Sequence, residues 1–78
     1  MKATKKSIRE NTRSAEVVGT GELKRKFNHF YKHNKNEAFE LSYQNPAVFH
    51  NVGPNSYLIG EATTKKQFID VVYDYLNS

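Results

Sequence analysis

The chain has 78 residues, 37% of them hydrophobic, no Cys, and a formal net charge of +4 at pH 7. That length makes one domain near the lower limit for folding without staples, and no disulfide or thiolate metal site can supply one. No apolar run approaches the roughly 18–20 residues of a membrane span, and no signal-type apolar stretch follows the basic N-terminus, so the cytosol of the host cell is the expected compartment.

Residues 1–14 contain one large aliphatic residue, Ile8, besides Met1. So little apolar surface does not offset the entropy of ordering, and the expectation is a flexible basic arm over 1–14 ahead of a single α+β domain over 15–78. A short helix around Lys5–Asn11 is open to the arm when a partner binds, and the alternative to a binding arm is a solubilising tail. Ala15-Glu16-Val17-Val18 reads as a short strand closed by Gly19. Thr20 then reads as the N-cap of a helix over about Gly21–His33, because Leu23, Phe27, Phe30 and Tyr31 fall at i, i+4, i+7 and i+8. Arg25, His29, Lys32 and His33 would line its other side.

Three strands are predicted next. Phe39, Leu41 and Tyr43 alternate with Ala38, Glu40 and Ser42, the period of a half-buried strand. After a turn at Gln44-Asn45-Pro46, Ala47–Val52 places Val48, His50 and Val52 on one face and Phe49 on the other. Gly53-Pro54-Asn55-Ser56 is a turn, followed by a strand at Tyr57-Leu58-Ile59. The last helix opens on Thr64-Lys65-Lys66-Gln67, a capping-box pattern, and Phe68, Ile69, Val72, Tyr75 and Leu76 form its apolar face. The expected fold is a small two-layer α+β domain of order β-α-β-β-β-α, an antiparallel three- to four-stranded sheet with two helices on one face. Phe27, Phe39, Phe68 and Val72 are expected in one core.

Charge is laid out unevenly along this order. Residues 1–33 carry a net +6 and residues 34–78 a net −2. A basic half joined to a mildly acidic one points to a polyanionic partner over a soluble small-molecule substrate. Lys65 and Lys66 open the last helix while Asp70 and Asp74 follow, the reverse of what the helix dipole favours, and local rules tend to be broken at functional sites. The two lysines are therefore read as a candidate phosphate site. Gly19-Thr20-Gly21 before Lys24-Arg25-Lys26 follows a strand, but it lacks the third glycine of a dinucleotide fingerprint, and a capped helix start explains it better. His29 and His33, at i and i+4, read as a solvated helix face in preference to a zinc site, and no metal or cofactor is expected. Asp70 and Asp74 read as helix-surface charges. Of Tyr31, Tyr43, Tyr57, Tyr73 and Tyr75, most are read as core, although exposed rings on a sheet can stack bases. No nucleophile setting or paired-carboxylate motif is present, so no enzyme is expected.

From Gly21 to Leu76 the expected order αβββα, with Lys65-Lys66 opening the last helix, resembles a double-stranded-RNA-binding domain. The resemblance would imply phosphate contacts by those two lysines and by the loop between the first two strands. That loop would be Gln44-Asn45-Pro46, which is short and uncharged. Phe68-Ile69-Asp70-Val71-Val72 replaces the Ala-rich continuation of that family's last helix. The similarity covers topology and two residues.

The leading expectation is a small non-enzymatic nucleic-acid-binding module that contacts phosphates through Lys5, Lys6, Arg9 and Arg13 of the arm, Lys24, Arg25, Lys26 and Lys32 of the first helix, and Lys65 and Lys66. The alternative is a stand-alone modulator or inhibitor, of the kind phages and mobile elements encode, that presents the same basic surface to an acidic patch on a host protein or nucleoprotein complex. Neither requires a membrane.

Overall fold

The computed structural model describes residues 4–18 and 25–78. Among the described residues the order is α1 (Lys5–Asn11), β1 (Thr12–Val18), β2 (Arg25–Asn34), β3 (Glu37–Ser42), β4 (Ala47–Val52), β5 (Asn55–Glu61) and α2 (Lys65–Asn77). The strands form one antiparallel sheet in chain order, a simple meander. The fold is thus α+β, as expected, but the sheet has five strands in place of three or four, and the first helix stands elsewhere in the order.

The helix expected over Gly21–His33 is the main correction. Residues 25–34 include most of that span and form the strand β2; Thr20 and residues 21–24 lie outside the described residues. Phe27, Phe30 and Tyr31 fit a helical stripe, but Phe27, His29, Tyr31 and His33 also alternate at the period of a strand. Phe, His, Tyr and Asn are mediocre helix formers, and aromatics suit a pleated sheet. Pairing decides between the two patterns: β2 is hydrogen-bonded to β1 on one side and β3 on the other. Tyr31 is buried, whereas Phe27 is 45% exposed and does not join the core expected for it. With β2 in place of a helix, the order αβββα is lost, and with it the topological likeness to a double-stranded-RNA-binding domain.

Residues expected in a mobile arm contribute α1 instead. Thr4 caps it, its hydroxyl accepting from the Ser7 backbone N–H at 3.0 Å. Asn11 and Thr12 side chains donate to the Ser7 and Ile8 carbonyls at 2.8 and 2.6 Å and close its C-terminal end. The lone Ile8 suffices because it is fully buried in a core with Tyr31, Phe39, Leu41, Val48, Phe68, Ile69 and Val72. Full burial of one such side chain is worth about 1.5–3 kcal/mol.

α2 follows its sequence closely. The Thr64 hydroxyl accepts from the Gln67 N–H at 3.2 Å. Gln67 Oε1 reaches back one residue further than a capping box requires, accepting from both Thr63 N–H and Thr63 Oγ1 at 2.8 and 3.0 Å. Phe68, Ile69 and Val72 fill the core beneath it. Gly60 on β5 lies under this helix; a Cβ there would stand 2.9 Å from Val71 Cγ1, so the strand and helix approach closely only because the residue is glycine. Gly53, with φ +57°, sits in the left-handed region that the β4–β5 turn needs.

At the far end of the core His50 is buried on the Phe39 ring, with centroids 4.6 Å apart and planes within 7°. Its Nδ1 is 2.9 Å from the Tyr75 hydroxyl. Its Nε2 stands 3.0 Å from Glu37 Oε2, close enough for an ion pair but out of line for a hydrogen bond.

Candidate functional site

α1 crosses the start of α2, and this brings together cations from opposite ends of the chain. Lys5 and Arg9 of α1 and Lys65 and Lys66 of α2 rim one surface pocket of about 380 Å³, floored by Ile69 and flanked by Asp70. Spacing on α1 explains two of them: Lys5 and Arg9, at i and i+4, share a helix face. Ile8 sets which way that face turns, because its side chain must enter the core.

Asp70 is the acidic member of the lining and holds the Lys5 ammonium at 3.3 Å. The same ammonium lies 5.2 Å from the centre of the Tyr73 ring, an attractive cation–π distance. Lys5 is thus held in place, and Asp70 offsets one of the four positive charges around the pocket. The first turn of α2 carries no acidic residue, so the positive end of its dipole adds to the four side-chain cations.

Lys65 also reaches electrostatically under the sheet. His29 is held below the ordinary histidine value of 6.5, first by burial and then by the Lys65 ammonium. Its Nδ1 lies 2.7 Å from the Ser14 hydroxyl and its ring stacks on Phe68 at 6.2 Å. The expectation of His29 and His33 on a solvated helix face is therefore corrected. Both lie on β2, His33 within 3.8 Å of Glu37 Oε1. Four residues along a strand separate their backbones by roughly 13 Å, too far to share a metal. Among the described residues no cluster of three His, Cys, Asp or Glu could hold an ion.

The remaining expected site residues divide differently. Lys6 is exposed on α1 away from the pocket. Arg13 and Lys32 lie on the opposite, uncovered face of the sheet, where with Phe30, Glu10 and Asn11 they bound a second hollow of about 650 Å³. Arg25 and Lys26 enter β2 opposite Val18 and Val17. Lys24 lies outside the described residues. Asp74 is exposed, as expected of a helix-surface charge. Tyr31 is core, but Tyr57 and Tyr75 are 53% and 42% exposed, so the tyrosines are less uniformly interior than their neighbours in sequence suggest.

Sequence reasoning overlooks the uncovered face. Its apolar members Phe30 and Leu58 read as part of a helix stripe and of a short strand; they are 37% and 65% exposed. The signal is present in the alternation of Phe30 with Tyr31 and of Phe49 with Val48 and His50. No described helix is long and apolar enough to cross a membrane. No protein-family model, curated protein or solved structure matches the chain.

Proposed function

We propose that the protein is a small non-enzymatic nucleic-acid-binding module of the cytosol that holds backbone phosphates in the pocket between α1 and α2. The observation carrying this reading is the convergence of Lys5, Arg9, Lys65 and Lys66 on one hollow at a helix N-terminus. Four cations against the one carboxylate of Asp70 leave the hollow net positive, which raises the local potential and concentrates an anion there. Arg9 supplies a planar fork suited to phosphate oxygens, and the lysines supply point charges. Such contacts give affinity and position without reading base sequence. The reversed charge order of α2 also acquires a purpose, since acidic residues in its first turn would repel the ligand.

The test is the double variant Lys65→Glu with Lys66→Glu, measured against DNA and RNA oligonucleotides at two salt concentrations. Affinity should fall for every sequence, and the dependence of log K on log salt should flatten by about one for each phosphate that is no longer neutralised. A double variant with the parent's affinity and salt slope would overturn the reading. So would a pull-down from lysate that retains one defined protein after nuclease treatment, the outcome expected of a modulator that docks on another protein.

A further inference from the structure

The sheet has a second face that the pocket between the helices does not use. Its register aligns one row of side chains across all five strands: Arg13 opposite Phe30, Phe30 opposite Glu40, Glu40 opposite Phe49, and Phe49 opposite Leu58. Lys32, two residues along β2 from Phe30, points to the same side. Both described helices pack their apolar side chains on the other face; among the described residues only the end of α1, through Glu10 and Asn11, borders this row, beside Arg13 and Phe30.

We propose that this open face is a platform for single-stranded nucleic acid, with bases stacked on Phe30 and Phe49 and the phosphate backbone running over β1 and β2 along Arg13 and Lys32. The proposal rests on the nucleic-acid reading and adds the kind of strand that is bound. Charge grades across the row: cations on β1 and β2, a carboxylate on β3, apolar groups on β4 and β5. A single strand has the same division, with phosphates along one edge and apolar base faces along the other. Glu40 keeps phosphates on the cationic side by repulsion. As an acceptor-only group it takes hydrogen bonds from base amino groups, its Oε1 already accepting from Asn51 Nδ2 at 3.3 Å.

Phe30 and Phe49 are two strands apart, roughly 10 Å, so each ring takes its own base. The hollow beside Phe30, about 650 Å³ and lined by Arg13 and Lys32 with the single carboxylate of Glu10, is in the range of ordinary ligand sites, roughly 300–1,000 Å³. A duplex keeps its base faces inside its own stack and offers these rings nothing. Protein interfaces are depleted in Lys and Glu at their centres, whereas Lys32 and Glu40 stand within this patch.

Fluorescence anisotropy with a mixed-sequence oligonucleotide as single strand, DNA and RNA in turn, and as the matching duplex tests the proposal. The parent should prefer the single strand. Phe30→Leu should weaken single-strand binding by roughly five- to tenfold, the lower range for one base on one ring, with the salt slope unchanged because the substitution is neutral. Lys65→Glu with Lys66→Glu should instead weaken single strand and duplex together and flatten the slope. Ultraviolet cross-linking of the parent protein, mapped by peptide mass spectrometry, needs no variant and should place adducts on the β2 and β4 peptides containing Phe30 and Phe49. Nucleic-acid binding with equal or greater affinity for the duplex, an unchanged Phe30→Leu affinity, or adducts confined to other peptides would overturn this proposal and leave the phosphate pocket standing. Absence of binding to any oligonucleotide would overturn both.

Discussion

Phe30 and Tyr31 are neighbours on β2, yet Tyr31 is 5% exposed under the helices and Phe30 37% exposed on the other side. Phe49 and Val48 on β4 divide in the same way, half-buried against fully buried. Each of these strands puts a large apolar side chain on both faces; what differs for those side chains is whether a helix lies above them. Under α1 and α2 the side chains lose their water and supply stability. On the open face comparable side chains keep part of theirs, mixed with Arg13, Lys32 and Glu40, a composition unlike that of a core. The covered face should therefore respond to substitution in stability, and the open face in affinity.

The largest effect should come from Phe68→Ala beneath α2. Removing a fully buried ring costs about 3–5 kcal/mol, comparable with the roughly 5 kcal/mol total stability of so small a domain. Circular dichroism should find this variant largely unfolded at room temperature; a parent-like melting curve would break the assignment of the covered face. Ile8→Ala comes next, at about 2–5 kcal/mol, and measures whether α1 belongs to the folded unit. Urea denaturation should show a clear drop in midpoint. An unchanged midpoint would return residues 4–11 to the status of an arm.

Phe30→Leu should cost no more than about 1 kcal/mol, the scale of one cross-strand pair, since the site keeps an apolar side chain. A larger loss in the same denaturation series would show that the open face also supports the fold. Lys65→Glu with Lys66→Glu should leave stability unchanged or raise it by about 0.3–1 kcal/mol, because the parent's charges oppose the dipole of α2.

The smallest effect concerns pH. His29 is held below 6.5 by burial and by Lys65, so near that value the unfolded chain binds more protons than the folded one. Stability from this residue is complete above about pH 6.5, declines as pH falls from there to the lowered folded value, and then levels off. Denaturation of the parent and of His29→Gln at about pH 7.5 and about pH 5 should show the steeper loss in the parent. In Lys65→Glu the nuclear magnetic resonance titration of His29 should move upward, and an anion bound in the adjacent pocket should move it the same way. A titration indifferent to both would separate His29 from the pocket.

Much of this is legible in residue order. Thr64 at the head of α2 and the apolar residues at helical spacing behind it specify that helix locally, and the same holds for β4, whose limits follow from flanking turn residues and an alternating pattern. The cations of the pocket between α1 and α2 are legible as residue types. Their meeting is not, because Lys5 and Lys65 are joined only by the way α1 crosses α2. β2 is illegible for another reason: Phe27, Phe30 and Tyr31 satisfy the helical period, while alternate residues of the same stretch satisfy the extended one.

What the sequence determined alone is therefore the set of elements whose local signals agree with one another: α2 with its cap, the strands β3 to β5, and a basic chain without Cys chemistry. The tertiary structure decided the rest. Pairing on both sides made β2 a strand, since its backbone groups find partners in β1 and β3 and two strong patterns cannot both be realised. One isoleucine could order α1 because it enters the core that α2 and the sheet also form, a gain that no count of apolar residues within the segment reveals. The open face likewise exists only as a consequence of packing: five strands present two surfaces, and the two described helices cover one.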